Sequence, residues 1–281
     1  MVRMGSARPG VPHLLVLHGL EATTRAHYAH GLLNQARRVG WSGDLLMFRS
    51  CDGEPNKAPR LYHSGETSDL DFVVRHLRER SPLSPLMVCG VSLGGNVLLK
   101  WLGEQGPAAR ELVTRSAAVS VPFDLAKGSR FLEKGVSRFY ARHFLKTLAP
   151  KAIVKAVQFP GVINVERART AQTFWEFDDA VTAPLHGFVD AADYYQKCSS
   201  ISFLRSIAVP TLLFSAFNDP FVPLDVYASV QEIAQQSEWL SCELTSTGGH
   251  VGWVEGFPGT ESYYMEARIL EFLKNDAIVS R

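Results

Sequence analysis

The sequence predicts an α/β fold, a mostly parallel central sheet flanked by helices and interrupted once by a helical insertion. Three observations carry this. Short, uniformly apolar runs recur along the chain, each stopped by glycine or a turn-forming cluster. Segments of helical periodicity alternate with these runs, as in βαβ units. The alternation stops after Pro122 and resumes at Pro210.

Leu14 to Leu17 reads as the first buried strand, ended by His18-Gly19. Thr24 to Val39 has helical spacing and stops at Gly40. Leu45 to Phe48 is a second apolar strand, followed by the turn-rich stretch Ser50 to Asn56. Glu66 to Arg80 is an amphipathic helix with Leu70, Val73, Val74 and Leu77 on one face. Leu86 to Cys89 is the third strand, Gly94 to Glu104 a helix, and Ala117 to Val121 the fourth strand. Strands without polar alternation are expected where helices cover both sheet faces.

From Phe123 to Leu204 helix-like segments rich in aromatics replace the rhythm. The expected division is therefore a core domain over 1–122 and 205–281 with a helical cap insertion over 123–204. Thr211 to Ser215 resumes the strands, followed by the helix Leu224 to Gln235, the strand Leu240 to Leu244 and the helix Glu261 to Leu273.

Bulk composition narrows the function. The chain has 281 residues, 46% of them hydrophobic and 20% charged, with a formal net charge of +1. That balance gives no bulk attraction to nucleic acid or an anionic membrane. No run of apolar residues is long enough for a membrane span, and no secretory leader is recognisable. The four cysteines, Cys51, Cys89, Cys198 and Cys242, form no CxxC pair. They read as reduced thiols of a cytoplasmic protein. No His or Cys cluster has metal-ligand spacing, so no metal or other cofactor is expected.

The chemistry centres on Gly90-Val91-Ser92-Leu93-Gly94-Gly95, set between a strand and a helix. In that setting G-x-S-x-G forms a tight elbow that lifts the serine hydroxyl into the open. The helix N-terminus beneath it favours negative charge. Ser92 is thus the candidate nucleophile. Asp219 follows the strand Thr211 to Ser215, where a carboxylate orients an imidazole, and Asp225 is its runner-up. His250, in Gly248-Gly249-His250, follows the last strand and is the candidate base. The order Ser, Asp, His is that of α/β-hydrolase folds. The loop His18-Gly19-Leu20-Glu21 is expected to supply an oxyanion N–H from Leu20, or from Glu21, paired with that of Leu93. The His18 ring reads as a brace for that loop. Asp178 and Asp179 could serve as acid/base groups, but read rather as residues that cap a helix or hold the insertion down. Trp175, in the insertion, is a candidate to set acyl preference.

Several stretches together resemble a known family. They are His18 to Glu21, Arg49 to Asn56, Leu61 to Thr67, Gly90 to Asn96, Phe177 to Pro184 and Gly248 to Gly252, in order over most of the chain. The chain resembles the YheT-type α/β hydrolases, the AB hydrolase-4 family, whose eukaryotic relatives include membrane-anchored lipases. The resemblance implies carboxylic-ester hydrolysis, with Ser92, Asp219 and His250 as the triad. One departure is at the front. About a dozen residues precede the first strand, where family members carry early antiparallel strands, and a shortened sheet edge is expected. The Arg49 to Asn56 loop and the Tyr62-His63-Ser64 turn are read as a hydrogen-bonded scaffold for the following helix rather than as substrate contacts.

The reading is a serine esterase acting on small acyl esters, of short to medium chain length. The alternatives are an acyltransferase using the same triad, and a non-catalytic receptor that binds ligand in the same pocket. Acyl length and oligomeric state are not written in these motifs.

Overall fold

The computed structural model of the chain describes residues 2–4, 10–257 and 262–275. Its centre is a seven-stranded sheet made of β1 (Val2–Met4), β2 (His13–Leu17), β3 (Ser42–Leu46), β4 (Leu86–Val91), β5 (Arg115–Val119), β6 (Thr211–Ala216) and β7 (Leu240–Thr245). The strand order is β1-β3-β2-β4-β5-β6-β7. All pairings are parallel except that of β1, which runs antiparallel to β3. This is the expected α/β-hydrolase class of sheet.

Around the sheet run α1 (His27–Arg38), α2 (Ser68–Arg80), α3 (Leu93–Gln105), α10 (Leu224–Gln235) and α11 (Tyr264–Lys274). Between β5 and β6 lie α4 (Leu125–Phe131), α5 (Ser137–Gln158), α6 (Val165–Thr170), α7 (Phe174–Phe177), α8 (Ala183–His186) and α9 (Ala191–Cys198). A single π-helical turn, Asp178–Thr182, joins α7 to α8. A two-stranded ribbon, β8 (Val254–Glu255) with β9 (Ser262–Tyr263), precedes α11.

Strand periodicity sorts the core into two layers. Leu15 and Leu17 of β2 join Val88, Trp101, Leu70 and Tyr227 on the face covered by α2, α3 and α10. Leu14 and Val16 join Cys89, Phe214, Leu32 and Ile269 on the face covered by α1 and α11. Both faces are therefore dry, which explains the uniformly apolar strands. A third cluster, including Leu145, Leu148, Ala152, Phe177 and Val181, belongs mainly to the helical segment between β5 and β6.

Several strand boundaries differ from the sequence expectation by one to three positions. β3 begins at Ser42 rather than Leu45, because polar Ser42 and Asp44 are buried beside a cross-strand partner. His13 Nδ1 lies 2.8 Å from Ser42 Oγ, and its Nε2 lies 3.3 Å from Asp44. β5 ends at Val119, two positions before the expected Val121. β1 was not expected at all; three residues are too few to show a periodicity. The expected start of the last helix, Glu261, lies outside the described residues.

Because six strands are parallel, their carboxyl ends share one edge of the sheet. The loops carrying Leu20, Ser92, Asp219 and His250 all leave from that edge. Among the described residues no helix is long and apolar enough to cross a membrane.

Candidate active site

Ser92 occupies the sharp turn between β4 and α3, with φ 54° and ψ −119°. A side-chain-bearing residue held there costs on the order of 1–3 kcal/mol, and surrounding bonds must hold it. Ser92 N–H donates to Val119 O at 2.8 Å, and Ser92 O accepts from Gly95 and Asn96 N–H at 2.9 and 3.1 Å. Space dictates the flanking glycines. A Cβ on Gly90 would collide with the Gly94 backbone, and one on Gly94 would meet His18 O at 2.6 Å.

The structure brings three of the expected side chains into one hydrogen-bonded chain. Ser92 Oγ lies 2.9 Å from His250 Nε2. His250 Nδ1 lies 2.9 and 3.1 Å from the two carboxylate oxygens of Asp219. A carboxylate only accepts, so Nδ1 carries the proton and Nε2 accepts from the Ser92 hydroxyl. Asp219 is buried and accepts the Phe221 N–H at 2.9 Å. The histidine loop is pinned by Gly249 N–H donating to Asn218 Oδ1 at 2.9 Å. The Ser120 hydroxyl also donates to the His250 carbonyl. Phe221 packs on the imidazole with ring centroids 4.2 Å apart.

The loop after β2 is held from several directions. His18 Nδ1–H donates to Gly19 O at 2.7 Å, and its Nε2 accepts the Phe48 N–H at 3.1 Å. Burial pushes the His18 pKa down to about 4, so the ring is a neutral brace. Gly19 N–H donates to Tyr28 OH at 2.8 Å. Glu21 sits at φ 56°. Its N–H donates to Tyr62 OH, which returns a bond to Glu21 Oε1, both at 2.8 Å. Glu21 N–H is therefore taken. The N–H groups of Leu20 and Leu93 donate no hydrogen bond among the described residues.

Ser92 and His250 open into a cavity of about 140 Å³. The helical segment gives it apolar walls, among them Leu125, Phe144, Leu148, Phe174, Phe177 and Val181. Tyr62, His63 and Ser64 line it too, so that turn faces the cavity besides bracing α2. His63 is held well below its ordinary pKa, first by burial and then by the nearby His186, Lys100 and Arg60. Asp178 also faces the cavity, accepting from Tyr195 OH at 2.6 Å and Thr182 Oγ1 at 2.5 Å. Burial raises its pKa to about 6 despite those two bonds.

Other expectations resolve into structural roles. Asp225 is exposed on α10 and pairs with Lys127 at 2.6 Å. Asp179 pairs with Arg167 at 2.7 Å and accepts the Ala191 N–H at 3.2 Å. In the Arg49 to Asn56 loop, Arg49 clasps Asp69 of α2 through two bonds of 2.6 and 2.5 Å. Trp175 does not line the cavity. It packs on Tyr195, centroids 5.1 Å apart, beneath the Arg130 guanidinium; its neighbours Phe174 and Phe177 point inward in its place.

Two contributors, Phe221 and Lys151, had no counterpart in the sequence reading, and a third, Asn96, entered it only as the end of the Gly90 to Asn96 stretch. Phe221 supports both Asp219 and His250. Lys151 of α5 reaches Glu21 Oε1 at 2.8 Å. Asn96 donates to Ser64 O and Cys198 O, both at 2.8 Å, and accepts the Ser200 N–H at 3.0 Å. Asn96 follows the elbow directly, and beyond its place in that stretch a polar residue among the apolar ones of α3 is its signal.

A serine in a strained strand-to-helix turn, backed by an imidazole and a buried carboxylate on this sheet, defines an α/β hydrolase. The chain belongs to the alpha/beta hydrolase fold family, which residues 12–257 match. It is 40% identical over 264 residues to Escherichia coli (strain K12) YheT, an esterase by provisional name, covering 93% of this chain and 76% of that one. It is 30% identical over 264 residues to phospholipase ABHD3 of Bos taurus, covering 94% of this chain and 63% of that protein. The chain thus spans less than two thirds of the phospholipase. Among solved structures, the Pyrococcus furiosus esterase Pf2001 aligns with a TM-score of 0.59 at 17% identity, over 94% of this chain and 81% of that one. At that identity the likeness speaks for the fold.

Proposed function

We propose that this hydrolase cleaves carboxylic esters of short- to medium-chain acids through Ser92, His250 and Asp219. The observation that carries the reading is the bonded chain from Asp219 through His250 to Ser92 at the mouth of an apolar cavity. Ser92 Oγ attacks the ester carbonyl while His250 Nε2 takes its proton. Asp219 keeps the proton on Nδ1 and stabilises the imidazolium that forms. The Leu20 and Leu93 N–H groups, both without a partner among the described residues, hold the developing oxyanion. The imidazolium then protonates the leaving alcohol, and water releases the acid by the same steps in reverse.

Residues 123–204 act as a cap whose apolar side chains receive the acyl group. A cavity of about 140 Å³ suits a small apolar group, since an engineered cavity of about 150 Å³ in another protein takes up benzene. The names of the relatives, an esterase and a phospholipase, support ester cleavage. The test is a p-nitrophenyl ester series from acetate to palmitate. Turnover peaking in the short to medium range is expected. No turnover of any member, or a steady rise to palmitate, contradicts the reading.

A further inference from the structure

The cap carries a surface that ester cleavage itself does not use. Residues 125–158 hold eight Lys and Arg side chains against the single acidic Glu133, in a chain whose net charge is only +1. Lys127, Lys151 and Lys155 are engaged with Asp225, Glu21 and the carbonyls of Asn56 and Ala58. Arg130 lies over Trp175. Lys134, Arg138, Arg142 and Lys146 are exposed, and none has an acidic partner among the described residues.

The last three recur at i, i+4 and i+8 on α5 and form one stripe. Beside it stand Val136, Phe139 and Tyr140, also on one face, with 69%, 68% and 48% of their surface open to solvent. The opposite face of α5 buries Ala141, Leu145, Leu148 and Ala152. Large apolar side chains clustered in water next to unpaired cations are characteristic of a surface that meets another phase or molecule. The patch also adjoins the site. Tyr140 packs on Phe221 with centroids 5.0 Å apart, and Phe221 packs on His250.

We propose that this face of α5 docks on an anionic lipid surface, with Phe139 and Val136 entering the headgroup region and Arg138, Arg142 and Lys146 meeting lipid phosphates. A second copy of the chain fits poorly, since two such faces would set like charges against each other. An anionic bilayer supplies the complementary charge and an apolar layer together. Docking in this pose sets the cavity mouth, through Tyr140 and Phe221, beside the lipid.

The test is flotation of the full chain with vesicles of phosphatidylcholine alone and of equal parts phosphatidylcholine and phosphatidylglycerol. Binding is expected to the anionic vesicles only and to fall as salt is raised. The double variant Arg138→Glu, Arg142→Glu should bind at least about tenfold more weakly. Phe139→Ser should also bind more weakly while keeping the salt dependence. Both should turn over a soluble ester like the wild type, which separates docking from the catalytic proposal. Absence of wild-type binding, or equal binding by the variants, overturns the inference. So does a dimer in solution that Phe139→Ser dissociates while vesicle binding stays unchanged.

Discussion

Lys151 Nζ lies 2.8 Å from Glu21 Oε1, an ion pair that ties α5 to the loop carrying Leu20. The Glu21 carboxylate is mostly buried, and the same oxygen accepts from Tyr62 OH. One carboxylate thus joins α5, the loop after β2 and the Tyr62 turn, and it stands next in the chain to the proposed oxyanion donor.

Removing that tie should disturb the N–H of Leu20 more than the binding of substrate. Lys151→Met is expected to lower kcat about tenfold with a smaller change in KM, because donors set for the oxyanion act in the transition state. Lys151→Arg should restore most of the rate. Steady-state kinetics on a soluble ester decide it. A rise in KM alone would assign Lys151 to substrate binding.

The acid of the catalytic chain should be Asp219. Asp219→Asn leaves the imidazole in the wrong tautomer, which costs about 10⁴ in kcat in a well-studied serine protease. Asp225→Asn only breaks an exposed pair with Lys127 and should leave kcat within about twofold, since such pairs are worth little. Kinetics on the two variants, each checked for folding by circular dichroism, discriminate them. A collapse in Asp225→Asn with an active Asp219→Asn would reverse the assignment.

Acyl preference should follow the residues that line the cavity rather than Trp175. Phe144→Ala enlarges an apolar wall and should shift the ratio of kcat/KM between short and longer esters by about tenfold, as one methylene is worth roughly 1–3 kcal/mol. Trp175→Ala should act evenly across the series. Equal shifts in both variants would mean that the wall is set by packing of the whole helical segment between β5 and β6.

Asp178 gives a pH dependence of known sign. Its pKa rises from 3.8 to about 6 on folding, so the fold favours the protonated form. Stability from this group is full below about 3.8, falls as pH rises toward about 6, and stays lost above it. Asp178→Asn, which removes the buried charge, should therefore melt higher than the wild type at pH 8. The gain should vanish near pH 4. Thermal melts at the two pH values check this, and a variant that melts lower at pH 8 would show that the ionised carboxylate is favoured there.

The parts of this site that the sequence made legible are those encoded locally. The Ser92 elbow needs only glycines within two positions and a strand and helix beside it. The loops of His18 and His250 are likewise marked by glycines at strand ends. What was missed joins distant residues. Lys151 and Glu21 are 130 positions apart, and the pair depends on how α5 lies over the sheet edge. Phe221 reads as an ordinary residue after a proline until its ring is seen on His250. Trp175 is one of the insertion aromatics expected to set acyl preference, yet helix phase turns Phe174 and Phe177 inward instead. β3 begins earlier than its sequence suggests, because Ser42 and Asp44 look like loop residues until His13 is placed across from them.

Labelling with a fluorophosphonate probe decides whether Ser92 is the nucleophile. Wild-type protein should take up one probe per chain on the peptide containing Ser92, with loss of ester turnover in proportion. Folded Ser92→Ala protein should take up none and be inactive. Labelling or turnover near the wild-type level in folded Ser92→Ala would place the nucleophile elsewhere.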